Sequence, residues 1–81
     1  MSRVQILVRH FYHKAEYRTT RFLEVFAIGR GEYEVTLRDV FHYNCTEKSI
    51  FCWKFGTELL ALMNADRVAA QLIEAGYVEM R

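Results

Sequence analysis

The chain has no proline, only four glycines and two cysteines. No apolar run approaches the roughly 20 residues that a membrane-spanning helix requires. Without proline, a low-complexity tract or an internal repeat, nothing marks a linker or a repeat architecture. Two cysteines in such a chain read as reduced thiols rather than as a disulfide framework. The stretch Met-Ser-Arg-Val-Gln-Ile-Leu-Val-Arg carries Arg3 within its apolar part and no small-residue cleavage site. A secretory signal is therefore not expected, and the expected location is cytoplasmic. Asn44-Cys45-Thr46 fits a glycosylation sequon, which without a secretion route carries no weight.

The chain is 81 residues long, 52% hydrophobic and 26% charged, with a net charge of +1. That apolar content at so low a net charge excludes disorder. The length fits one domain over 1–81, which at this size buries only about 60% of its unfolded-chain surface. Six Phe, five Tyr and one Trp supply large buried areas in compensation. The charges are unevenly spread. Residues 1–30 carry six basic side chains against Glu16 and Glu24, a net +4, and residues 31–81 carry five basic against eight acidic, a net −3. Most of the basic residues are Arg, which suits planar and stacked contacts.

The first 55 residues read as strand. Val4, Ile6 and Val8 alternate with Gln5, Leu7 and Arg9, and the pattern runs on through Tyr12. His13 to Arg18 reads as a polar connection. Thr19 to Ile28 is β-branched and aromatic, and it ends at Gly29-Arg30-Gly31, where glycines are available for positive φ. Tyr33, Val35, Leu37, Phe41 and Tyr43 alternate with polar residues, Asp39 being the polar exception on the apolar side. An Asp in such a place is expected to pair with an Arg such as Arg9 or Arg21, or to lie at a sheet edge. Asn44 to Lys48 reads as a turn, followed by alternating Phe51, Trp53 and Phe55. From Thr57 the composition turns to helix formers, with Thr57 as N-cap and Gly76 as the residue after the last turn. Leu59, Leu62, Met63, Ala69, Leu72, Ile73 and Gly76 form the expected core stripe. Asn64 or Asp66 offers a second cap, but one helix over 57–76 is the simpler reading. Residues 77–81 form a tail that either adds an edge strand or frays.

The expected fold is therefore α+β, a four-stranded antiparallel meander with a C-terminal helix packed on one face. The alternative is a ferredoxin-like βαββαβ arrangement, which requires residues 14–28 to be helical. One helix covers one sheet face only. Yet Leu23, Val25 and Ala27 alternate with Phe22, Phe26 and Ile28, so both faces are apolar. An exposed patch on the less covered face is expected, and such patches mark partner or self-association surfaces.

The chemistry to weigh is sparse. Arg3, Arg9, His10, Phe11, Tyr12, His13, Lys14, Tyr17, Arg18 and Arg21 interleave basic and aromatic groups, as a single-strand nucleic-acid platform does. The chain has no RRM signature, GxxG loop or helix-turn-helix pattern, however. His10, His13, His42, Cys45 and Cys52 are ligand types, but neither His10-x2-His13 nor His42-x2-Cys45 has the spacing of a structural zinc site. No GxSxG, HExxH, P-loop or GxGxxG motif occurs. No enzyme activity, metal or cofactor is expected. The expected function is that of a small non-catalytic protein-binding module, with homodimer formation a further expectation. Its partner would be held by Phe11, Phe22 and Phe26 on the less covered face, with Arg9, Arg18 and Arg21 at the rim. Nucleic acid is the alternative partner. In size, α+β pattern and lack of catalytic motifs the chain resembles the small inhibitors of phages and mobile elements, anti-CRISPR proteins among them. That likeness is of type, with no residue roles attached. It implies steric blocking of a host macromolecular complex.

Overall fold

A computed structural model describes residues 3–80, the side chain of residue 17 excepted. In chain order the elements are β1 (Val4–His13), β2 (Glu16–Gly29), β3 (Glu32–Phe41), β4 (Thr46–Phe55), α1 (Glu58–Glu74) and β5 (Tyr77–Met80). The strands form one antiparallel sheet in the order β4-β3-β2-β1-β5. The class is α+β, as the alternation implies, but the sheet has five strands rather than four. The helix leaves from one sheet edge, β4, and delivers the chain to the other. There Tyr77–Met80 pairs with His10–His13 of β1. Residue 81 of the tail lies outside the described residues. No helix among the described residues is long and apolar enough to cross a membrane.

The ferredoxin-like alternative fails because residues 16–29 form a single 14-residue strand. The β-branched and aromatic side chains of that segment favour a pleated surface. The expected connection from His13 to Arg18 shrinks to Lys14-Ala15, since His13 already pairs with Glu16. At the β2–β3 hairpin, Gly29 pairs with Glu32, and the two loop residues Arg30 and Gly31 have φ of 56° and 72°. A two-residue turn with both centres at positive φ is the type I′ form, whose twist matches that of the strands.

One helix forms, without a second cap at Asn64 or Asp66. Thr57 accepts a hydrogen bond from the Leu60 amide at 3.2 Å, closing the first turn. The last turn closes through the Ala75 and Gly76 amides on the Gln71 and Ile73 carbonyls. Gly76, at φ 102°, then turns the chain into β5.

The core lies between α1 and one sheet face. Phe11, Leu23, Val25 and Val35 are fully buried, with Leu37 beside them. From the helix come Ala61, Ala65, Val68, Ala69 and Leu72. The expected stripe is therefore only half right. Leu72 and Ala69 are buried, whereas Leu59, Met63 and Ile73 are exposed. The sheet supplies most of the bulky side chains of this interface, and the helix seats on its alanines with Val68 and Leu72, while Leu59, Met63 and Ile73 point elsewhere.

Register also corrects the faces of the sheet. Directly paired residues share a face. Phe11 pairs with Arg21 and Leu7 with Val25, on the helix side, whereas His10 pairs with Phe22 on the uncovered side. Phe11 thus belongs to the core and not to the less covered face. A register shift between Gln5 and Leu7 inserts Ile6 into β1, which returns Val4 to the helix side opposite Ala27. A register shift against β3 likewise inserts Ile50 into β4. Bulges of this kind twist an edge and discourage further strands from pairing there.

Candidate protein-binding surfaces

Three regions carry the polar and apolar features available for function. The first is the uncovered sheet face. Phe22 and Phe26 stand on it half-buried, each beneath a guanidinium: Arg38 lies 4.6 Å from the Phe22 ring centre and Arg3 4.1 Å from that of Phe26. His10 meets Phe22 edge-on at 4.5 Å. Glu24, only 6% exposed, accepts hydrogen bonds from Arg38 Nε and Gln5 Nε2, both at 2.7 Å. Arg38 also reaches Glu47, and Arg3 reaches Glu34. A groove of about 470 Å³ runs among Arg3, Phe26, Thr36, Arg38 and Ser49. This face is a ladder of arginines neutralised by carboxylates, and the arginines roof the aromatics.

The second region is the helix side of the sheet around Arg9 and Arg21. Arg9 grips Glu79 through Nε at 2.8 Å and Nη2 at 2.7 Å, and touches Asp66 of α1 at 3.2 Å. It therefore ties β1 to β5 and to the helix. Arg21 holds Asp39 through Nε at 2.7 Å and Nη2 at 3.0 Å, and lies 4.8 Å from the Tyr77 ring centre. Hydrogen bonding to the carboxylates holds both guanidiniums above their ordinary range. Asp39 on the apolar side is thus explained by Arg21. A cavity of about 140 Å³ beside this pair is lined by His13, Glu16, Phe41 and Tyr77. Neither Arg9 nor Arg21 lies with Phe22 and Phe26, because each sits directly opposite a helix-side residue, Leu23 and Phe11 respectively. Arg18 is exposed, and its carbonyl accepts from the His42 amide at 2.9 Å. Of the six expected contact residues, then, Phe22, Phe26 and Arg18 remain accessible on the sheet, Phe11 is core, and Arg9 and Arg21 work inside the fold. The Tyr17 side chain lies outside the described residues.

The third region is the outer surface of α1, which the sequence reading assigned to the core. Leu59 is 67% exposed, Met63 58% and Ile73 52%, with Leu60 and Ala70 also exposed. At 100° per residue, Leu59, Met63, Asp66, Ala70 and Ile73 fall in one narrow strip on the side away from Ala61, Ala65, Val68 and Leu72. The helix thus has two apolar stripes, and the sheet covers one. A signal was present in the sequence. Two interleaved patterns of three- and four-residue steps run through 59–73, more apolar positions than one sheet face can bury.

No protein family, curated protein or solved structure matches this chain. The surfaces must carry the functional reading themselves.

Both cysteines are free and exposed. Cys45 sits in the β3–β4 turn at φ 55°, where Asn44 Oδ1 accepts from the Thr46 amide at 3.1 Å. Partial burial, and then the Glu34 carboxylate, push the Cys52 thiol up. That disfavours the thiolate a nucleophile needs. His42 Nε2 is taken by Thr20 Oγ1 at 2.5 Å. Among the described residues no group of three or more His, Cys, Asp or Glu is placed to hold a metal ion.

Proposed function

We propose that this chain is a small non-catalytic protein-binding module that acts by occupying a partner's surface, the mode of action of a steric inhibitor of phage or mobile-element type. The observation that carries the reading is the second apolar stripe of α1. A helix that carries apolar residues all round is ordinarily buried on all sides. Here Leu59, Met63 and Ile73 stand exposed on one side of the helix. Contiguous exposed apolar groups on a small domain mark a docking surface. The roofed aromatics Phe22 and Phe26 give a second, more polar contact area, with Arg18 exposed further along the same strand.

Nucleic acid is the weaker reading. Of its basic residues Lys14 and Arg18 are exposed, but Arg3, Arg9 and Arg21 are each engaged with a carboxylate of the same fold. Releasing them for phosphate would expose Glu34, Glu79 and Asp39 to the same strand. The test is fluorescence anisotropy with labelled single-stranded DNA, duplex DNA and RNA at low and physiological salt. Flat traces are expected. Tight binding with a steep salt slope, which reports several phosphate contacts, would overturn the reading.

A further inference from the structure

The outer stripe of α1 has a spacing that specifies more than general stickiness. Leu59, Met63, Asp66, Ala70 and Ile73 are separated by four, three, four and three residues. That is the seam spacing of a coiled coil, in which two helices pack side by side at a shallow angle. The seam spans 15 residues, 59–73, about 21 Å at 1.5 Å per residue. Its one polar position is its centre. Asp66 has a side chain 77% exposed and a single contact to Arg9 at 3.2 Å, while Arg9 gives its two shorter bonds to Glu79.

Charge decides between the occupants of such a seam. A second copy packed antiparallel about the seam's centre would set Asp66 against Asp66. A parallel copy would again bring the two Asp66 carboxylates together. Like charges facing each other across an interface are costly. Of the four charged side chains on α1, Glu58, Asp66 and Glu74 are acidic and only Arg67 is basic. The matching partner is therefore basic where this helix is acidic.

Resting on the protein-binding reading above, we infer that the outer face of α1 docks an amphipathic helix of a partner protein, one that carries apolar residues at seam spacing and a Lys or Arg at the position facing Asp66. Helices laid against an apolar face are a recurring recognition mode, and a single charged seam position fixes the register of such a pair. Ala70, next to Asp66 along the seam, leaves room for the long side chain of that base.

The experiment uses two synthetic helical peptides of three heptads with identical apolar seams. One carries Lys and the other Glu at the central seam position. Each is titrated into the ¹⁵N-labelled full chain and followed by amide shifts, with light scattering for mass. The expected result is shifts centred on Leu59, Met63, Ala70 and Ile73, with the Lys peptide tighter by roughly two- to fivefold, the range of an exposed ion pair. Asp66→Lys should reverse that preference, and Met63→Glu should abolish binding of both peptides while leaving the remaining spectrum in place. Equal affinities that Asp66→Lys does not change would overturn the charge assignment. Shifts on Phe22 and Phe26 instead would overturn this surface but leave the protein-binding reading intact. A dimeric mass that Met63→Glu relieves would make the occupant a second copy. No shifts at millimolar peptide would overturn the docking proposal.

Discussion

Asn64 sits on the inner face of α1, 9% exposed, and its Oδ1 has no hydrogen-bond partner. Its neighbours in the helix stripe are Ala61, Ala65 and Val68, none of which offers a donor. Replacing it with alanine tests whether that oxygen costs the fold stability. An unsatisfied buried acceptor costs about 1–3 kcal/mol. Alanine is also a better helix former than asparagine by up to ~0.7 kcal/mol. Against this stands the small void left by the amide group, which at about 24 cal/mol per Å³ is worth under ~1 kcal/mol. Asn64→Ala should therefore stabilise the protein by about 1–2 kcal/mol, against the usual destabilising sign of core substitutions. Urea unfolding should show a higher midpoint at unchanged slope, and a thermal melt should rise by roughly 4–8 °C per kcal/mol for a domain of this size. A variant less stable than the parent would mean that the oxygen has a partner, an ordered water for instance, and the reasoning would fail.

Three further outcomes are expected. Phe11→Ala should cost about 3–5 kcal/mol, as a fully buried ring does, whereas Phe22→Ser should leave far-UV circular dichroism unchanged; equal effects would undo the assignment of the two faces. Arg30→Asn should stabilise the fold by about 0.5–1 kcal/mol, read as a higher urea midpoint at unchanged slope, because asparagine tolerates the positive φ that the type I′ turn imposes there, and a loss would show that Arg30 contributes some other contact. Because the Cys52 thiol is pushed up, its neutral form is favoured in the fold; that contribution is present below the ordinary thiol range and fades as pH rises through the raised value. In a Cys45→Ser background, iodoacetamide should therefore modify Cys52 more slowly at pH 8 than a free thiol, with the gap closing at higher pH, and equal rates at pH 8 would contradict this.

The alternation of Leu23, Val25 and Ala27 with Phe22, Phe26 and Ile28 is legible in the residues, as are the Thr57 cap and the glycine turn. These are local signals, set by side-chain period and backbone conformation within a few positions. What is not legible depends on partners distant in sequence. Phe11 could be assigned a face only with the β1–β2 register, which the insertion at Ile6 shifts along part of its length. The helix stripes at Ala61–Leu72 and at Leu59–Ile73 are both apolar, and choosing the buried one requires knowing that the sheet already supplies Phe11, Leu23 and Val35. Tyr77–Met80 becomes a strand only because α1 ends beside the free edge of β1. The pairing of Asp39 with Arg21 was within reach because only a few arginines could lie on the neighbouring strands.

The central claim is that α1 carries an apolar stripe the fold does not use. The direct measurement is the stability of Leu59→Gln/Met63→Gln by urea unfolding, glutamine being about as good a helix former as either residue it replaces. Side chains already more than half exposed should cost under about 1.5 kcal/mol together, with the amide spectrum otherwise preserved. A loss of about 4 kcal/mol or more, the cost of two truly buried side chains, would place them in the core and leave no spare surface for a partner.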